Sequence, residues 1–485
     1  LYIQAKIGGN AYANVSSAYT IQGGDLGTNK EITIAESDID SNGELTGFSE
    51  AAVITFTGLL EDYAKGAGGT GNQTTGTGST TTLTVDQTDP TAFTTGSVTT
   101  VGAPVVTGKW NIHNTDVNVV VPVANDATLE NGSIQIIAKT ASSNYENVGN
   151  SVNITNGNLN GNVTITLTAA QFEAIDNNLS DNDVVTINAI ITDVAGNTTT
   201  GTASSTTLTV DQTPPTVDEV TSDANDGLAN PYKVGTTVDI KVSFSEIVDV
   251  VPGANKPALQ LDTDDTPGSV LSEAIYNAGT GSKYPLFRLT VVTNNYSEDL
   301  NYRATTSLIL NDGTIRDVAG NNATLTLPAV DDAKSLKNKK ALWIDGVLPA
   351  IKIVGDVTTT GDTIVTGYWN KKNTGLTVVV PLETTDFSLR SGTIQLEAQA
   401  VGGGVAGNWT NIGAVTTMTA ETVGAGSQTI SVAKSGTASV DFEEINEFSD
   451  GDVVTIRAVV TDLAGNSSTF TASNTTLTVD QTYPS

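Results

Sequence analysis

The chain has 485 residues, with 22 basic and 53 acidic side chains, a net charge of −31 and no cysteine. Nucleic acid is excluded as a partner, because phosphate binding needs clustered Lys and Arg. Disulfides and thiolate metal sites are excluded outright, and no run of 18 apolar residues could span a membrane.

The length calls for about three or four domains. Apolar residues make up 38% and aromatics only 5%, against a background rich in Thr, Asn, Ser, Gly and Val. That mixture predicts many short strands joined by polar turns. The opening segment, residues 1–86, starts strand-like on Leu1-Tyr-Ile-Gln4 with no visible secretory leader. Its Tyr2–Lys6 stretch matches Ile134–Ala138 further on, Phe48–Thr57 takes the place of a penultimate strand, and it closes on Leu83-Thr-Val-Asp86. The first two strands of the module are missing. The expectation is that the sequence is a piece of a longer protein, or that a neighbouring chain supplies them.

Residues 87–211 and 346–485 are two copies of one module. Asn114–Pro122 matches Asn373–Pro381, Gly132–Lys139 matches Gly392–Gln399, and Asp183–Asp193 matches Asp452–Asp462, in order and nearly at the same spacing. Strands of five to nine residues alternate with period two; Ile134, Ile136 and Ala138 share one face. A short helical turn is predicted at Thr168–Ile175, with its counterpart at Val440–Ile445. About seven strands without a long helix read as an antiparallel β-sandwich. Residues 212–345 form a second all-β subtype, with a long alternating strand in Pro231–Glu246.

A recurring phrase punctuates the chain. Asp193-Val-Ala-Gly-Asn197 returns as Asp317-Val-Ala-Gly-Asn321 and Asp462-Leu-Ala-Gly-Asn466, while Val-Asp211-Gln-Thr, Ile-Asp345-Gly-Val and Val-Asp480-Gln-Thr end modules, as does Val-Asp86-Gln-Thr. The phrase Val234–Glu246, with Asp312–Asn321 and Ala333–Asp345, resembles the bacterial immunoglobulin-like repeats of large surface adhesins, biofilm proteins and S-layer proteins. The flanking modules resemble related repeats ending in Val-Asp-x-Thr-x-Pro. The resemblance implies tandem immunoglobulin-like antiparallel β-sandwich domains in a string, an extracellular or cell-envelope location, and calcium at the joints.

The Asp-x-Ala-Gly-Asn turns admit two readings. Gly supplies a positive φ while Asp and Asn cap the turn, with no ligand needed. Alternatively, hard cations want six to eight oxygens of the carboxylate, amide and carbonyl type. On that reading the last strand returns to the end of the sandwich that carries the turn. The joints are then Asp193, Asn197 and Asp211; Asp317, Asn321 and Asp345; and Asp462, Asn466 and Asp480. Asp86 is the lone linker copy, and Asp223, Asp226 or Glu246 lend further oxygens. The first module has Asp62-Tyr-Ala-Lys65 in place of the turn.

Catalytic constellations are poor. His113 is the only histidine and no Gly-x-Ser-x-Gly elbow accompanies it. One His without Cys cannot form a zinc site. Asp262, Asp264 and Asp265, or Glu443 and Glu444, could pair as glycosidase carboxylates, but read as solvated surface. Gly66-Ala-Gly-Gly-Thr-Gly71 fits a dinucleotide pattern in letters, yet loop sequence rather than a helix follows. Trp110 and Trp369 hold equivalent positions, pointing to a core or joint role. Asn-x-Ser/Thr sequons are frequent, offering glycan sites at Asn14, Asn72, Asn131, Asn153, Asn162, Asn178, Asn197, Asn295, Asn322, Asn408, Asn466 and Asn474. The expected role is structural and non-enzymatic: an S-layer-like assembly of copies of this chain. The alternatives are an adhesin stalk and a spacer within a larger secreted enzyme.

Overall fold

A computed structural model of the chain describes residues 1–40, 45, 47–63, 71–227, 229–264, 271–435, 441–445 and 448–483. Among these the fold is all-β, as the alternation predicts. The α-helices are single turns at Ala169–Glu173, Leu336–Lys339 and Ala420–Gly424. Two compact units divide the chain, Leu1–Gln212 and Thr213–Ser485.

In the first unit, residues 87–211 form an immunoglobulin-like sandwich. One sheet orders Gly161–Thr168, Asn114–Val123 and Val98–Gly102; the other orders Glu146–Asn153, Ser133–Lys139, Val184–Thr192, Leu208–Val210 and Lys109–Trp110. Neighbours are antiparallel except the last pair, where Thr209 and Val210 run parallel to Lys109 and Trp110. Period-two alternation drives Val117, Val119 and Val121 of one sheet against Ile134, Ile136 and Ile187 of the other, all 0% exposed. Trp110 is also fully buried, its ring centroid 4.7 Å from that of Phe172. The predicted helical turn follows a capping box, in which Thr168 Oγ1 accepts from the Gln171 N–H while the Gln171 side chain accepts from the Thr168 N–H.

The same chemistry builds residues 346–483 of the second unit. Val357–Gly361, Asn373–Pro381 and Ser427–Ala433 make one sheet, and Thr393–Gly402 and Val453–Thr461 centre the other. Trp369 packs on Phe442 at 4.6 Å. Phe442 sits in a 3-10 turn, Phe442–Glu444, so the counterpart turn forms although Val440 lies outside the described residues. Both copies bend at one glycine. A Cβ on Gly102 would lie 2.3 Å from the His113 carbonyl oxygen, and one on Gly361 would lie 2.4 Å from that of Lys372. Only glycine allows that approach.

Residues 213–345 have their own core around Phe244, Phe287 and Tyr302. Their main sheet orders Val217–Thr221, Thr237–Phe244, Leu286–Thr290, Ser272–Ala278, Ala258–Asp262 and Asn301–Tyr302. The opening segment is a single sheet over a small core of Ala5, Val15, Leu45, Ile54 and Val85. Its Tyr2–Ile7 strand pairs antiparallel with Val53–Glu61, as Ser133–Lys139 does with Val184–Thr192.

Candidate functional site

Each Asp-x-Ala-Gly-Asn stretch folds into the same self-capped turn. Asp193 Oδ1 accepts from the Gly196 and Asn197 N–H groups at 2.7 and 2.9 Å. Asp317 Oδ1 accepts from the Ala319 and Asn321 N–H groups, both at 2.8 Å. Asp462 Oδ1 accepts from the Asn466 N–H at 2.8 Å. The glycines sit at φ of +104°, +99° and +87°. In all three, the Asn side-chain amide donates to the second carboxylate oxygen of its own Asp at 2.7–2.9 Å.

The joint pairing differs from the one expected within a module. The Val184–Thr192 strand leads into Asp193, whereas Leu208–Val210 pairs with the start of that strand, at Val184 and Val185. Nine residues at roughly 3.3 Å each separate the two ends by roughly 30 Å. Asp211, whose N–H donates to the Trp110 carbonyl at 2.8 Å, therefore lies at the far end of the sandwich from Asp193 and Asn197. Asp480 likewise ends a strand that pairs with Val453 and Val454, far from Asp462 and Asn466. The turn meets instead the linker Asp of the module before it.

In the second unit this partner is Asp345. The Asn466 Nδ2 donates to the Asp345 carbonyl at 2.8 Å, its Oδ1 accepts from the Val234 N–H at 3.1 Å, and Lys233 Nζ donates to the Gly465 carbonyl at 3.3 Å. Asp345 is 0% exposed. Its Oδ1 accepts from the Val347 N–H at 3.1 Å, but its Oδ2 is buried with no hydrogen-bond partner among the described residues. Burial, and then the neighbouring carboxylates Asp462 and Asp386, push the Asp345 carboxyl up to about 7. Burial also raises Asp462 and Asp386. Asp386 caps the turn Phe387–Leu389 and accepts from Ser388 Oγ at 2.6 Å. The Ser388 carbonyl accepts in turn from the Leu463 N–H at 2.8 Å.

The first unit repeats the plan in a more open form. Asn197 Nδ2 donates to the Asp86 carbonyl at 3.2 Å and to its Oδ1 at 3.4 Å. Asp86 is partly exposed, and its carboxyl is raised by burial and then by Asp193 and Glu50. Glu50 Oε2 also accepts from the Gln87 N–H at 3.0 Å.

Of the remaining candidates one pair comes together and the others do not. Within the second unit, carboxylate oxygens of Glu246 and Asp317 lie within 4.8 Å of each other. Asp317 and Asp345 do not share a joint, since Asp345 meets the following module's turn. Asp226 is exposed, its carbonyl accepting from the Trp343 N–H at 3.2 Å, and Asp223 pairs with Lys241 at 2.6 Å. Asp62 binds the Asn72 N–H and side-chain amide. Residues 66–70 of the glycine-rich motif, and Asp265, lie outside the described residues. Asn295 and Asn466 are buried, which removes them as glycan acceptors in the folded chain. Sequence reading missed Asp386, Glu50, Lys233 and Val234. The sole signal for Asp386 is its place in an Asp-x-Ser cap that repeats Asp126-x-Thr128 of the other copy.

No family model matches the sequence, and no curated protein does. Solved structures that align include a domain of a 1.5-MDa bacterial ice-binding adhesin involved in host cell surface retention, at 15% identity over 82% of this chain and 100% of that one, TM-score 0.30. The FN1–FN3 domains of chicken CNTN1 align at 9% identity over 79% and 96%, TM-score 0.18. Domains A168–A170 of titin align at 12% identity over 76% and 94%, TM-score 0.24.

Proposed function

We propose that this chain is a stretch of an extracellular structural protein whose immunoglobulin-like modules are stiffened by calcium at their joints. The observation that carries the reading is Asp345. A fully buried carboxylate beside two further acids, with the nearby Ser388 hydroxyl given to Asp386, is unfavourable until a proton or a cation balances it. Hard cations take oxygen ligands of this kind. Asp345 would be the principal ligand in the second unit, with Asp462 and Asp386 adding negative charge nearby; Asp86 would play that part in the first, beside Asp193 and Glu50. Asn197 and Asn466 act as bridges across the joint, their amides already engaged. The ion would supply the positive charge that lets acids of two successive modules pack together.

Thermal unfolding of the full chain, with calcium and with excess chelator, tests this. A ligand bound only to the folded state raises its stability by mass action. The expected result is a higher transition for the second unit with calcium; an unchanged transition would overturn the reading.

We place the protein at the cell surface, in an S-layer or comparable array of identical copies. A strongly acidic surface suits divalent cations and keeps single chains soluble. Light scattering with calcium separates the array from a stalk. Concentration-dependent growth supports the array, and a chain that stiffens but stays monomeric is a stalk.

A further inference from the structure

The exit phrase Asp-Gln-Thr contains a glutamine that neither the strand pattern nor the joint chemistry requires. In both copies of the module that glutamine reaches the same place. Trp110 Nε1 donates to Glu173 Oε1 at 3.1 Å, and the same oxygen accepts from Gln212 Nε2 at 2.6 Å. Trp369 Nε1 donates to Glu443 Oε1 at 2.9 Å, and that oxygen also accepts from Gln481 Nε2. The backbone of each glutamine is held as well: the Gln212 N–H donates to Asp181 Oδ1 at 2.6 Å and the Gln481 N–H to Asp450 Oδ1 at 2.5 Å. The strand just before it is short, Leu208–Val210 or Leu477–Asp480. It runs parallel to the strand bearing the tryptophan.

We infer that Gln212 and Gln481 are mechanical latches, which fasten the exit of each module to its buried tryptophan through one shared carboxylate. Tension drawn through the exit linker loads the short parallel pair in shear. The latch adds hydrogen bonds to a carboxylate oxygen, the stronger kind of acceptor. Its anchor cannot shift without opening the core, because Trp110 and Trp369 are both 0% exposed. Residues 213–345 end differently. Gly346 follows Asp345 where the other modules have Gln; the exit strand Ile344–Asp345 pairs antiparallel with Tyr296–Ser297 and keeps a parallel bridge from Ile344 to Tyr232, but no glutamine fastens it. That module has no latch at this position and yields before residues 87–211 and 346–483 under load.

Single-molecule pulling of the full chain between its ends, in chelator so that joint cations play no part, tests the inference. In Gln481→Ala, the unfolding rate of residues 346–483 at fixed load should rise about tenfold, as expected for losing one charge-assisted hydrogen bond. The 87–211 event should keep its rate, and Gln212→Ala should reverse the pattern. Gln481→Glu, which sets a second carboxylate against Glu443, should weaken the same event further. Should Gln481→Ala fail to fold, Gln481→Asn, an amide one methylene short, carries the test with Gln212→Ala. Unchanged rates in both alanine variants, or equal loss in both modules from either one, would overturn the inference.

Discussion

The joint at Asp86 and the joint at Asp345 share one plan and differ in wetness. In each, a linker aspartate meets the Asp-x-Ala-Gly-Asn turn of the next module through the turn's asparagine amide. Asp86 keeps part of its surface in water, with Glu50 and Asp193 nearby. Asp345 keeps none and leaves one oxygen unpaired. Turns that differ only in Val194 against Leu463 thus build a solvated contact in one unit and a dry, charge-strained one in the other. The turn motif holds the backbone, and the depth of the linker acid decides how much the joint needs a counter-charge.

The largest expected difference is in pH dependence without calcium. Asp345 is held near 7 in the folded protein against 3.8 in the unfolded chain. Between those values the folded state binds a proton that the unfolded state does not. The associated stability is complete below about pH 4 and is lost as pH rises through 7, up to about 4 kcal/mol. In chelator, calorimetry should show the second unit melting lower at pH 8 than at pH 5, and the first unit moving less. A second-unit transition that stays put or rises from pH 5 to pH 8 would break the comparison.

Calcium should act on the same acid from the other side. At about 100 times the dissociation constant it adds about 2.7 kcal/mol to the unit that binds it. Asp345→Asn should abolish this gain and reduce the pH dependence to what Asp462 and Asp386 contribute, while raising apo stability at pH 8, because a neutral amide replaces a buried charge. Asp86→Asn should change the second unit's melting by nothing measurable. Equal calcium responses in the two variants would show that burial of the linker acid is not what separates the joints.

A smaller effect tests what the joints share. Gly196→Ala and Gly465→Ala force a side chain onto φ of +104° and +87°, at about 1 kcal/mol each. Equal losses, read from denaturant midpoints, would assign the difference between joints to the carboxylates rather than to the turns. Smallest is Lys233→Ala, which removes one exposed hydrogen bond to the Gly465 carbonyl and should lower second-unit stability by less than about 1 kcal/mol.

The repeat, the sandwich and the buried role of Trp110 and Trp369 were legible because period-two alternation and copy-to-copy matching are local signals. The partner of each turn was not. Thr198–Thr200 doubles back on the end of the Val184–Thr192 strand, and the chain then runs that strand's full length before Leu208–Val210. Asp211 therefore emerges at the opposite end, a consequence of strand length and pairing register that no motif states. The weight of Asp386 was hidden because a capping aspartate looks alike whether or not its neighbours are acids. Gln212 and Gln481 stood in the recurring phrase itself, but their partners Glu173 and Glu443 lie 39 and 38 positions away.

Because the linker acid belongs to one module and the receiving turn to the next, a module cut out at its sequence boundaries carries two unlike half-sites and no whole one. Duplicating a module in tandem, by contrast, creates a complete joint each time, with the donor half always at the exit and the acceptor half always inside the newcomer. Such a contact is directional, the head-to-tail kind that does not close on itself. The arrangement works as a grammar for lengthening: an Asp at the exit and the turn in the body are the two parts that both joints share.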